Sequence, residues 1–179
     1  MEKRLIRLGA IAYTVYAGKQ KGITVGHTLL QKLFYFLQHG RDIDLGYRYR
    51  LHHFGPYCKE LWADLNYLED VNALSVKGSP SGFGYNIFPE AKIETLLELV
   101  NDEIKEEISE LLNFLSHRPV RELECLATTH YVCKEIQEFK EDPENSKNNV
   151  INGVLALKPH LTEKEVLNSM EILRKKCLI

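Results

Sequence analysis

The chain has 179 residues, the length of one domain, or one domain with an extension, at roughly 150 residues per domain. Hydrophobic residues make up 44% and charged residues 27%, which excludes disordered, collagen-like and low-complexity chains, and no apolar run approaches the roughly 18 residues that span a bilayer. The net charge of −2 is unevenly spread: residues 1–50 carry nine Lys/Arg against three Asp/Glu, and residues 51–179 carry fourteen against twenty-two. Such asymmetry marks either a basic face for an anionic partner or two halves that neutralise each other.

In chain order, Leu5, Leu8, Ala12 and Val15 fall at helical spacing, so residues 3–18 read as an amphipathic helix. GKQKG at 18–22 is a polar break. A second helix is expected from Thr24 to Gly40, and seven of the nine residues from Leu29 to Leu37 are apolar, the composition of a helix buried on every side. Residues 47–54 (YRYRLHHF) alternate and predict a strand that Gly55-Pro56 ends. Helical spacing returns from Cys58 to Asn72. A hairpin follows, with strands at 74–77 and 83–88 and a turn at 78–82.

Beyond Pro89 the pattern is helical, with segments expected at about 90–100, 103–116, 119–139, 146–157 and 163–177. Thr162 reads as an N-cap, and the polar run 139–149 reads as a mobile connection. The fold class is therefore mainly α with a small antiparallel β element. Three helices with a terminal hairpin is the winged-helix arrangement, although the 47–54 strand is out of its usual place in that order. A winged-helix-like half at 1–89 and a helical extension at 90–179, packed as one unit, follow from this.

No residue set assembles an active site, and neither an enzyme nor a cofactor is expected. His52, His53 and Cys58 offer zinc-type ligands, but adjacent strand residues point to opposite faces, so no metal site is read. Cys125 and His130 are five apart on one helix and diverge by about 140°, so Cys125 and Cys133 read as small core residues. The acidic run 102–110 alternates with Ile104, Ile108 and Leu111 and reads as a solvated helix face. The alternating charged and apolar start, without an apolar core, gives no secretory signal. Four cysteines without a C-x-x-C pair then suit reduced thiols in the cytoplasm.

A winged helix that binds DNA normally inserts the helix before the wing. Here that helix, 58–72, carries Lys59 against Glu60, Asp64, Glu69 and Asp70, a net −3 that phosphates repel. The remaining cations for an acidic partner are Lys3, Arg4, Arg7, Lys19, Lys21, Arg41, Arg48 and Arg50. Arg48 and Arg50 share one face of the expected strand.

Two segments, LLQKLFYFLQ at 29–38 and YRLHHFGPY at 49–57, followed by Leu61–Leu65 and Tyr67-Leu68-Glu69, resemble the Panacea domain family, most of all its YwgA-like branch of prokaryotic proteins described as predicted transcriptional regulators. The resemblance covers 24–76 well and continues more loosely through 123–131 and 161–173. The matching positions are Gln31, Lys32, Tyr35, Gly55, Pro56 and Tyr57. Lys32 is expected to pack its stem and to direct its ammonium to a carboxylate or carbonyl. The resemblance implies a mainly helical protein that neutralises a toxin by contact or presents a client to a protease.

The resulting expectation is a cytoplasmic, non-catalytic protein-binding module, antitoxin-like or adaptor-like. Its contact surface is placed at Arg48, Arg50, His52 and Tyr57, with a homodimer as a further possibility. The alternative is a winged-helix DNA-binding regulator.

Overall fold

The computed structural model describes residues 2–79, 84–137 and 143–179. It divides into two compact units, Met1–Arg50 with Tyr57–His117, and Leu51–Pro56 with Arg118–Ile179. Residue 89, where the sequence suggested a division, lies inside the first unit, because the chain that follows it packs back onto the first helix.

The first unit opens with α1 (Glu2–Gln20), β1 (Val25–Gly26) and α2 (His27–His39). After the excursion through the second unit come α3 (Lys59–Asp70), β4 (Leu74–Gly78), β5 (Tyr85–Pro89), α4 (Glu94–Leu97) and α5 (Asp102–Leu115). The sheet is antiparallel in the order β1-β5-β4, with Val25 opposite Ile87 and Val76 opposite Ile87 on the other side. Helix, strand, helix, helix and hairpin is the winged-helix order, and β1 supplies the strand that the sequence seemed to misplace. Two residues are too few to show an alternating pattern, so β1 left no signal. It also displaces the expected helix start: Thr24 caps nothing, and α2 begins after the extended Gly26, which offers no side-chain cap.

From Leu29 to Leu37 every residue of α2 is buried, as its composition required. α1 packs against α3, α4 and α5. Gly9 lets α1 approach α4 and the chain just after it, since a Cβ there would lie 3.0 Å from the Leu96 carbonyl oxygen, 2.9 Å from Leu99 Cβ and 2.6 Å from Val100 Cγ2. The helix expected at 90–100 shrinks to the single turn of α4. α5 starts one residue early because Asn101 caps it, accepting from the Ile104 amide at 3.0 Å. The hairpin turn expected at 78–82 lies largely outside the described residues.

The 47–54 strand needs correction. Residues 47–49 are irregular, and the strands are β2 (Arg50–His52) and β3 (Gly55–Tyr57), a separate two-stranded sheet. Gly55-Pro56 does not end the extended chain but begins its return. Gly55 takes φ +84, which glycine alone adopts freely, and Pro56 needs no ladder donor because both strands are edges.

The second unit contains the hairpin tip and α6 (Val120–Gln137), α7 (Pro143–Leu157) and α8 (Glu163–Lys175). α6 packs against both others around Cys125, Val132, Cys133, Val154, Val166 and Met170. α7 begins at Pro143, inside the run expected to be a mobile connection, of which residues 139–142 lie outside the described ones. α8 begins as expected, with a complete capping box between Thr162 and Glu165. Among the described residues no helix is long and apolar enough to cross a membrane.

Candidate interaction site

α2 holds the chain on either side of the hairpin through two glutamines. Gln31 Nε2 donates to the Cys58 carbonyl, and the Cys58 amide donates back to Gln31 Oε1, both at 2.9 Å. Seven residues along, Gln38 makes the same reciprocal pair with the backbone of Tyr47, again at 2.9 Å both ways. Each carboxamide takes the place of a strand neighbour and satisfies backbone groups that burial would otherwise leave unmet. Lys32, beside Gln31, is 2% exposed. Its charge and, before it, burial lower His27 to about 4, so that imidazole is neutral at pH 7.

Asp64 ties a third point. Buried on α3, it accepts from Tyr47 Oη at 3.0 Å and forms ion pairs with Arg7 Nε at 3.0 Å and Arg4 Nε at 3.6 Å. The Arg7 guanidinium also covers the Tyr47 ring, 4.7 Å from its centre. Burial and then the Asp64 charge push the Tyr47 phenol up, so it stays a donor. Tyr35 is buried and meets the rings of Tyr49 at 5.3 Å and His39 at 5.1 Å. Cys58 is buried, and its thiol, pushed up to about 11 by burial, donates to Glu60 at 3.2 Å. A thiol held protonated is neither a nucleophile nor a ready metal ligand. Among the described residues no three His, Cys, Asp or Glu stand together as a metal site.

In the second unit, Lys158 Nζ donates to the His52 carbonyl at 2.7 Å and to the His53 carbonyl. It also pairs with Glu124 Oε1 at 3.0 Å, and Glu124 Oε2 meets His160 Nε2 at 3.3 Å. The Lys158 and Glu124 side chains are 7% and 5% exposed. A buried ammonium therefore fixes the backbone of the hairpin tip. On that tip the rings of His52 and His53 meet edge to face at 4.8 Å, and Phe54 is 57% exposed.

The expected site residues thus fall into two groups. Gln31, Lys32, Tyr35, Gly55 and Pro56 are buried, whereas Arg48, Arg50 and His52 are exposed and Tyr57 is half-buried. Arg50 opens β2, and Arg48 lies before it in irregular chain. The Tyr57 ring stands 6.0 Å from His27, which in turn packs on Trp62 at 4.5 Å. Sequence reasoning missed Lys158, Glu124 and Phe54. Glu124 gave a signal: it is the lone carboxylate inside the apolar run LECLA.

Most of the cations considered for an acidic partner are engaged within the first unit. Lys3 pairs with Asp44, Arg4 and Arg7 with Asp64, and Arg41 with Glu107 and Glu110, while Lys21 donates to Asn113. On α3 the exposed charges are Lys59, Glu60, Glu69 and Asp70. Comparison with family models and with curated proteins finds no match for this chain.

Proposed function

We propose that this protein is a non-catalytic protein-binding module, antitoxin-like or proteolytic-adaptor-like, acting in the cytoplasm through the hairpin tip. The observation that supports this reading most is Phe54, a large ring left in water on a turn whose carbonyls are tied to a buried ammonium. Exposing such a ring forgoes about 1.5–3 kcal/mol of burial within the fold. A prefixed support lowers the ordering cost of binding, and aromatic anchors dominate interface energies. His52, on the tip, adds a polar contact. Arg48 and Arg50, which precede the tip in the chain, favour a partner bearing carboxylates, whether a toxin, an adaptor client or a second copy of this chain. The resemblance to the Panacea family points the same way.

The winged-helix strand order favours a second reading, a DNA-binding regulator. The acidic exposed face of α3 weighs against it, because phosphate neutralisation supplies most of the binding. A photo-crosslinking phenylalanine analogue at position 54, introduced in the native cell, is expected to capture one protein, and the same probe at Ala63 on α3 to capture no DNA. Capture of DNA at Ala63, with duplex binding that falls steeply between about 50 and 200 mM salt, would replace the first reading with the second.

A further inference from the structure

The first unit holds a half-open cleft of about 310 Å³, at the lower end of the roughly 300–1,000 Å³ over which pockets take small ligands. α1 supplies Val15 and, one turn on, Lys19; the linker after α1 supplies Ile23 and Thr24; β5 supplies Ile87 and Phe88. The cleft has a local cause. The Ile23 amide donates to the Gly18 carbonyl at 2.8 Å, which draws the linker against the end of α1. β1 begins only at Val25, opposite Ile87, so on that side β5 has no ladder partner at Phe88. Gly22 turns the linker at φ +67, and a Cβ there would meet nothing within 4 Å, which leaves the mouth clear.

The side chains that line the cleft are apolar apart from the Thr24 hydroxyl and Lys19, the one charged residue among them. Lys19 is exposed and makes no ion pair among the described residues. Apolar lining side chains with one ammonium and no carboxylate among them suit an apolar chain with an anionic end. We propose that this cleft binds a medium-chain aliphatic carboxylate, with the chain against Val15, Ile23 and Ile87 and the carboxylate at Lys19.

The test is an octanoate titration of the full chain, read by methyl NMR. Saturable shifts confined to Val15, Ile23, Ile87 and their neighbours are expected, with octanol about fivefold weaker. Lys19→Glu should weaken octanoate by about tenfold and Lys19→Arg should retain it, with melting temperatures unchanged because Lys19 is exposed. No saturable shift at these methyls, equal binding of octanol and octanoate, or full binding by Lys19→Glu would each overturn the proposal. So would a leucine-terminated peptide that saturates the same methyls at lower concentration than octanoate, which would assign the cleft to a protein C-terminus.

Discussion

Gln31 and Cys58 close a ring of two hydrogen bonds across 27 positions of sequence, the carboxamide of one mimicking a strand edge for the backbone of the other. The ring fixes where the chain leaves the hairpin and enters α3. Replacing Gln31 with Met keeps the volume and orphans a buried amide and a buried carbonyl. Each orphan costs about 1–3 kcal/mol, so Gln31→Met should lose about 2–6 kcal/mol. Gln38→Met, at a part-buried clamp, should lose less. Urea midpoints of the two variants measure the difference, and equal small losses would deny the clamp its role.

Lys158 is expected to matter through the charge it neutralises. Lys158→Met leaves Glu124 buried without its ammonium partner and frees the carbonyls of His52 and His53. The expected loss is about 3–5 kcal/mol, much of it recovered when Glu124→Leu is added. Thermal unfolding of the single and double variants measures the recovery. Hydrogen exchange in the 51–56 backbone should rise in both, because the tip has lost its tether in either case.

His27 makes stability depend on pH. Its folded value, held near 4 by burial and then by Lys32, lies below the ordinary 6.5 of an unfolded histidine. The unfolded chain therefore binds more protons between these values, and stability falls as pH drops from about 6.5 towards 4. His27→Phe should flatten that part of the stability curve while leaving it unchanged in form above pH 7. A slope identical to that of the parent chain would mean the imidazole is solvated.

Much of the architecture was legible because it depends on period and capping. The all-round apolar α2, the helical spacing of α3 and the Thr162 cap follow from the sequence, since each is a local pattern tied to a local geometry. What escaped depends on distant partners. β1 is a strand only because β5 lies beside it, and two residues carry no period. The return through Gly55-Pro56 looked like a stop because proline usually is one, yet an edge strand has no need of its missing donor. Lys158 and Glu124 are 34 residues apart, and nothing near either announces that they share a buried site with the carbonyls of the tip. Gln31, by contrast, was legible as a conspicuous polar residue on an apolar helix, although its partner was not.

The acid limb should show a second contribution, from α8. Glu165 is held down to about 2 chiefly by its hydrogen bonds to Arg121 and Thr162. With an unfolded value near 4.5, that contribution is complete above about pH 4.5 and is lost as pH falls towards 2. Arg121→Met should remove most of this dependence, and Thr162→Ala should cost about 1 kcal/mol at neutral pH through the lost cap. Circular-dichroism melts from pH 2 to pH 7 resolve both.

The most direct measurement is quantitative recovery of bound protein from native cells, comparing the parent chain with Phe54→Ala and with Arg48→Glu/Arg50→Glu. Phe54 is exposed, so its truncation leaves folding intact while removing an anchor worth about 2 kcal/mol or more at an interface, roughly thirtyfold in affinity. The expected result is one protein recovered in stoichiometric amount with the parent chain, strongly reduced by Phe54→Ala and weakened by the double charge reversal. Undiminished recovery with both variants, or duplex DNA as the sole bound species, would contradict the account.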